Sequence, residues 1–177
     1  MVNKRIHHKL IIIRHAHAEN REKFKKNTGK SDNFRPITLK GKEEIQKIAK
    51  FLRQIEPGID LVLTSPYTRA QQTAKVLAKN YKNVEIINLD NLMPHSLPQA
   101  TLQSLKKINN AGVIAIVGHE PHLSIFLSFI LTGSTRSYFD IKKSGFAIVE
   151  FLNIIEKRKA TLKCLIQPSQ VTNLVKS

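Results

Sequence analysis

A chain of 177 residues can bury a core of its own, and 41% hydrophobic with 24% charged residues is the balance of a globular protein. One cysteine, Cys164, rules out an internal disulfide and a cysteine-based zinc site. The net charge of +16 speaks for attraction to anions, but no RNP pattern, Cys/His finger or basic zipper accompanies it and aromatics are only 6%, so no nucleic-acid partner is expected.

Residues 8–13 contain the unbroken run Leu10-Ile11-Ile12-Ile13 and read as a buried strand. Residues 14–36 are polar and rich in Lys and Asn, the composition of a long exposed loop. Thr38 is placed to cap a helix whose apolar face is Ile45, Ile48, Ala49, Leu52 and Ile55, stopped by Pro57-Gly58. Residues 60–64 form a second apolar strand. Ser65-Pro66 reads as a cap and first helical position, opening a helix to about Asn80. A third strand over residues 84–87 is followed by a loop through Met93-Pro94-His95, then by a helix with Leu102, Leu105 and Ile108 on one face. Residues 113–117 are the most hydrophobic strand and are expected at the sheet centre. Residues 121–131 form a helix apolar nearly all round, ended by Gly133. Strands at 146–152 and 160–166, joined by a charged turn, predict an antiparallel hairpin at one edge, with Cys164 a buried, inert thiol.

This alternation argues for an α/β sandwich, and the absence of a linker or repeat argues for one domain over residues 1–177. The apolar runs 10–13 and 123–131 are too short to span a bilayer, so no membrane partner and a cytoplasmic location are expected.

Three strands end in residues suited to phosphate. The first ends in Arg14-His15, the second in Thr64-Ser65-Pro66 with Arg69 just beyond, the fourth in Gly118-His119. Ligands of open α/β sheets bind beyond the carboxyl ends of the strands, so these side chains are expected to converge. Two guanidinium groups match phosphate oxygens with paired N–H donors.

The same strings resemble a known family. Arg14-His15-Ala16 is similar to the Arg-His-Gly signature of the histidine phosphatase superfamily, the phosphoglycerate-mutase-like phosphatases. Arg35-Pro36-Ile37-Thr38 with Gly41, the run from Leu63 to Ala74 carrying Arg69, and Val117-Gly118-His119-Glu120-Pro121 resemble its further motifs, the last as the SixA branch of phosphohistidine phosphatases writes it, and Ser144-Gly145-Phe146-Ala147 resembles a late strand of that branch. The resemblance implies a three-layer α/β/α sandwich with a mostly parallel central sheet and an antiparallel C-terminal edge. It implies His15 as nucleophile through a phosphohistidine intermediate, with Arg14, Arg69 and His119 gripping the transferring phosphoryl group. No metal or other cofactor is expected, since Arg and His supply the positive charge and no carboxylate cluster is visible.

Two departures stand out. Ala16 replaces the usual glycine, adding a methyl where backbone approaches phosphate. The glutamate that many relatives carry after the third strand as general acid is missing from Asn91-Leu92-Met93-Pro94-His95. His95 and Glu19 are candidate proton donors in its place. A histidine leaving from phosphohistidine needs less acid assistance than an alkoxide, which favours phosphohistidine on a signalling phosphoprotein as substrate. A small phosphoester is the alternative substrate, and a non-catalytic phosphate- or phosphoprotein-binding module the reading from another class. Lys23, Lys25, Lys26 and Lys30 lie beside the expected site, where they could steer an acidic phosphoprotein.

Overall fold

The apolar runs pair into one six-stranded sheet in a computed structural model that describes residues 7–108 and 111–174. The strands are β1 (His7–Arg14), β2 (Leu61–Thr64), β3 (Glu85–Asn88), β4 (Val113–Gly118), β5 (Phe146–Leu152) and β6 (Ala160–Ile166). Their order is β3-β2-β4-β1-β5-β6. The first four run parallel, and β5 and β6 turn back antiparallel at one edge. The most hydrophobic strand, β4, sits next to the middle, where both faces need apolar cover.

Helices cover both faces. Alternate residues of β1 separate the two cores: Leu10 and Ile12 pack with α4 (Pro98–Lys106) and α5 (His122–Thr132). Ile11 and Ile13 pack with α2 (Leu39–Ile55), α3 (Thr68–Ala78) and Val171 of α6 (Pro168–Leu174). This is the expected three-layer α/β/α sandwich. Thr38 caps α2 as expected, its Oγ1 accepting from Gly41 N at 3.0 Å. Gly133 ends α5 in the left-handed conformation at φ 83°.

Several expectations need correction. Residues 14–36 are not one loop: they contain α1 (Arg21–Thr28) and a 3-10 turn at Asp32–Phe34. Asn20 caps α1 by accepting from Glu22 N and Lys23 N, Gly29 closes it, and Phe24 is its one buried anchor. A single apolar residue produces no periodicity, so the helix was invisible to pattern. The helix after β2 starts at Thr68, not Pro66. Ser65 stays with the sheet, its N–H donating to Val117 O at 2.9 Å. The apolar helix begins at His122 rather than Pro121, and α6 follows the last strand without a sequence signal. Cys164 is half-buried on the outer strand, and burial raises its thiol above the ordinary range.

Gly41 joins this scaffold to the carboxyl end of the parallel strands. The first turn of α2 packs on the chain after β1, with Thr38 N donating to His17 O at 2.9 Å. A Cβ on Gly41 would overlap the His17 carbonyl oxygen and lie 3.0 Å from His17 N and C, all backbone atoms with little freedom to retreat. Gly41→Ala is expected to destabilise by about 1–3 kcal/mol, read as a lower urea midpoint at unchanged slope. Gly58→Ala, where nothing lies within 4 Å of the new methyl, is expected to stay within about 0.5 kcal/mol of the parent.

Candidate active site

Register brings the two histidines together. In the parallel β1–β4 pair Arg14 lies opposite Gly118, so His15 and His119 emerge side by side one residue beyond. His15 N donates to Gly118 O at 3.0 Å, and the ring centroids are 4.9 Å apart. A Cβ on Gly118 would come within 3.2 Å of Leu92 O and 3.0 Å of Leu123, so the close seating of α5 depends on its absence.

The His15 imidazole has a defined tautomer. Nδ1 lies 2.8 Å from the Ala16 carbonyl oxygen, which can only accept, so Nδ1 carries the proton and Nε2 keeps its lone pair. Arg69 Nε donates to that Nε2 at 3.2 Å. Burial, then the charges of Arg69, Arg14 and Arg35, pull His15 down to about 3, while its bond to Ala16 pulls the other way. Burial, then His15 and Arg69, take His119 down to about 2. Both rings are therefore neutral at physiological pH. The site has what a nitrogen nucleophile needs: an unprotonated nitrogen, held in place, beside positive charge.

Arg69, only 3% exposed, is positioned by several contacts. Its Nη1 donates to Asp32 O at 2.9 Å and lies 3.1 Å from Asp32 Oδ2, and its guanidinium sits 4.9 Å from the Tyr67 ring centroid. Arg14 Nη1 donates to Ile141 O at 2.8 Å, leaving Nε buried without a partner. His119 Nε2 is hydrogen-bonded to Ser65 Oγ at 2.8 Å, and its Nδ1 is buried without a partner. Among the described residues, buried side-chain polar atoms lacking hydrogen bonds are few, yet Arg14 Nε, His119 Nδ1, Glu120 Oε1, Ser124 Oγ and Ser144 Oγ all belong to this end of the sheet. Such atoms are costly unless a ligand satisfies them.

The structure thus unites His15, His119, Arg69 and Arg14. It does not bring in Glu19 or His95. Both side chains are exposed, and neither makes a side-chain hydrogen bond or ion pair among the described residues. Asn91, in the stretch where an acid was sought, turns its amide to Ala100 O and Ser104 Oγ. His122 is no pocket residue either: it pins Ser96 O and Thr101 Oγ1 at 2.8 and 3.0 Å. The Ala16 methyl is fully buried in the core rather than in phosphate space, and Ala16 N donates to Thr73 Oγ1 at 3.0 Å.

Sequence reasoning passed over Asp32, and it met Arg35 and Ser65 only as members of motifs, without a role in the site. Asp32 receives Arg21, Arg35 and Arg69 at 3.0, 2.8 and 3.1 Å. Burial would raise its carboxyl, but Arg35, Arg69 and Arg21 hold it below the usual range. Its one sequence signal was being the sole acid between Glu22 and Glu43. Among the described residues no group of three or more His, Cys, Asp or Glu could hold a metal ion, and no helix is long and apolar enough to cross a membrane.

Comparisons with known proteins agree with this geometry. Residues 10–97 match the model of the histidine phosphatase superfamily (branch 1). An uncharacterized protein of Picosynechococcus sp. is 30% identical over 77% of this chain and 81% of its own length. Phosphohistidine phosphatase SixA of Escherichia coli K12 is 28% identical over 62% of this chain and 70% of its own. The structure of the protein histidine phosphatase SixA complexed with tungstate superposes with a TM-score of 0.79 at 22% identity, covering 92% of this chain and 99% of that one. The alpha-ribazole phosphatase of Shigella flexneri does so with 0.70 at 18%, covering 90% and 96%. The chain belongs to the histidine phosphatase superfamily.

The depressed imidazoles carry a stability consequence. Between about pH 6.5 and 3 the unfolded chain binds protons that the folded rings refuse, so stability falls as pH falls through that window. Each ring is expected to cost about 1 kcal/mol per pH unit below 6.5. The thermal midpoint should drop from pH 7 to 5, and drop less steeply in His119→Asn. Asp32, whose carboxyl is held below 3.8, adds its own loss of stability only as pH falls toward 3.8 and below, outside the pH 7 to 5 comparison.

Proposed function

We propose that this phosphatase removes phosphate from phosphohistidine on a signalling phosphoprotein, with His15 as nucleophile. The observation that carries the mechanism is the Nε2 lone pair of a buried, neutral His15 with Arg69 aimed at it. In the reaction Arg69 Nε exchanges this nitrogen for a phosphoryl oxygen. Nε2 attacks phosphorus in line and forms a phosphohistidine while the bond from phosphorus to the substrate's ring nitrogen breaks; the substrate imidazole, protonated on its other nitrogen, takes the electron pair and departs neutral. Arg14, Arg69 and His119 balance the charge that spreads over the equatorial oxygens. Water then attacks the phosphohistidine and releases phosphate and neutral His15.

Support for an N–P substrate comes from likeness to the E. coli phosphohistidine phosphatase and from residues 91–95, which hold no carboxylate and whose Asn91 turns its amide to Ala100 O and Ser104 Oγ. Support for a protein substrate comes from α1. Its lysines are exposed, and the turn that follows it joins the site through Asp32 and Arg69, so an acidic surface would be drawn toward His15. One observation favours a small phosphoester instead: Glu120, a largely buried carboxyl next to His119, could serve a poorer leaving group.

Hydrolysis of phosphohistidine, a phosphoserine peptide and 4-nitrophenyl phosphate should be compared with EDTA present. Phosphohistidine is expected to be cleaved preferentially and to resist the chelator. His15→Ala should lose at least about 10³-fold in turnover with its circular dichroism unchanged. Wild-type-like activity in that variant would end the nucleophile assignment; faster phosphoserine cleavage would move the substrate to the phosphoesters.

A further inference from the structure

The segment between α5 and β5 brings to the nucleophile a cation that phosphoryl transfer leaves unused. Residues 142–145 form a tight turn, Gly145 N donating to Lys142 O at 2.8 Å. Ser144, within the turn, is buried and held in the left-handed region at φ 63°. Its N–H donates to Arg14 O at 3.2 Å and to His15 O at 3.3 Å, so the turn is laced to the end of β1. Gln167 fixes it from the other side. Its Oε1 accepts from Lys142 N at 3.0 Å, and its Nε2 donates to Asp140 O at 2.7 Å.

Beside this turn lies a cavity of about 380 Å³ lined by Arg14, His17, Glu44, Lys142, Lys143 and Gln167. That is room enough for a side-chain carboxylate. The carboxylate already present, Glu44, is hydrogen-bonded to His17 Nδ1 at 3.1 Å, and Lys142 is paired with Asp140. Lys143 and Arg14 form no ion pair among the described residues. Burial, then the charges of Arg14 and Arg35, lower the half-buried Lys143 ammonium from its usual 10.5, with Glu44 opposing them. The same two guanidinium groups act on the His15 ring. Lys143 therefore stands within electrostatic reach of the arginines that flank the nucleophile, and no anion of the chain answers it. An anion entering the cavity would relieve this repulsion and give Lys143 its partner.

We propose that the cavity is a second anion site, where Lys143, with Arg14 beside it, binds a carboxylate that the substrate carries near its phosphoryl group. The proposal rests on the phosphatase reading with His15 as nucleophile. On a phosphoprotein the carboxylate belongs to an aspartate or glutamate close to the phosphohistidine. The exposed lysines of α1 act differently, since they draw any acidic surface at long range and read no position. An ammonium held at a fixed place reads position, because its charge-assisted contact is lost when the carboxylate is out of register.

The test is kcat/KM for acetylated, amidated, histidine-phosphorylated peptides carrying one glutamate, moved in turn through the positions flanking the phosphohistidine. Net charge is constant across this series, so long-range attraction contributes equally to every member. Wild type is expected to favour one or two positions about tenfold over the rest, through KM. Lys143→Met should flatten the preference and Lys143→Arg should keep it; as a ratio within one enzyme, it is untouched by a general loss of activity. Phosphoserine against its carboxyl amide tests the other source. A Lys143-dependent preference there, without one among the peptides, assigns the cavity to the carboxylate of a small phosphoester. Equal rates at every position, with equal rates for phosphoserine and its amide, overturn the proposal on wild type alone. A preference that survives Lys143→Met overturns it too. In both cases turnover of 4-nitrophenyl phosphate leaves the phosphatase reading standing, whereas no turnover of any substrate by wild type defeats that reading and the second site with it.

Discussion

The parallel pairing of β1 with β4 is the constraint on which the site depends. It sets Arg14 against Gly118, and from that register His15 and His119 follow side by side. Strands buried on both faces cannot slip by one residue without turning every apolar side chain into the wrong core. Alternate residues of β1 feed two separate cores, so the register is held from above and below. The placement of the two imidazoles is thus fixed by hydrophobic packing well away from them.

Burial then sets the chemistry. At the carboxyl end of the sheet both imidazoles are almost fully enclosed, and enclosure beside arginines keeps them unprotonated. The Ala16 carbonyl selects which nitrogen carries the proton, and Arg69 addresses the other. Holding a guanidinium in such a place costs solvation, which Asp32 partly offsets by pairing with Arg69, while Arg35 and Arg21 share the same carboxylate and leave the cluster net positive. Arg69 is divided between Asp32 and His15 and has hydrogen bonds to trade when a phosphate enters. Asp32 also ties the cationic helix α1 to the pocket through Arg21 and Arg69.

The fold was largely legible in the amino-acid order because its signals are local. Leu10 to Ile13 and Val113 to Val117 are buried on both faces and therefore read as unbroken apolar runs. The α2 helix shows its buried stripe of Ile45, Ile48, Ala49 and Leu52 at helical spacing. Helix α1 was not legible, since Phe24 alone anchors it and its ends are made by Asn20 and Gly29. Ser65 misled for a related reason: Ser-Pro is a good helix opening in isolation, but here the serine hydroxyl is bonded to His119, 54 residues away in sequence.

The sequence by itself determined the strand–helix alternation and the residue types at the strand ends, because both are written in short windows of side-chain chemistry. Only the tertiary structure decided which of those polar residues meet. It placed Glu19 and His95 in solvent, folded Asp32 back onto Arg69, and bonded His119 to Ser65. Such outcomes depend on distance, burial and competing hydrogen bonds between segments remote in the chain, and no local pattern records them.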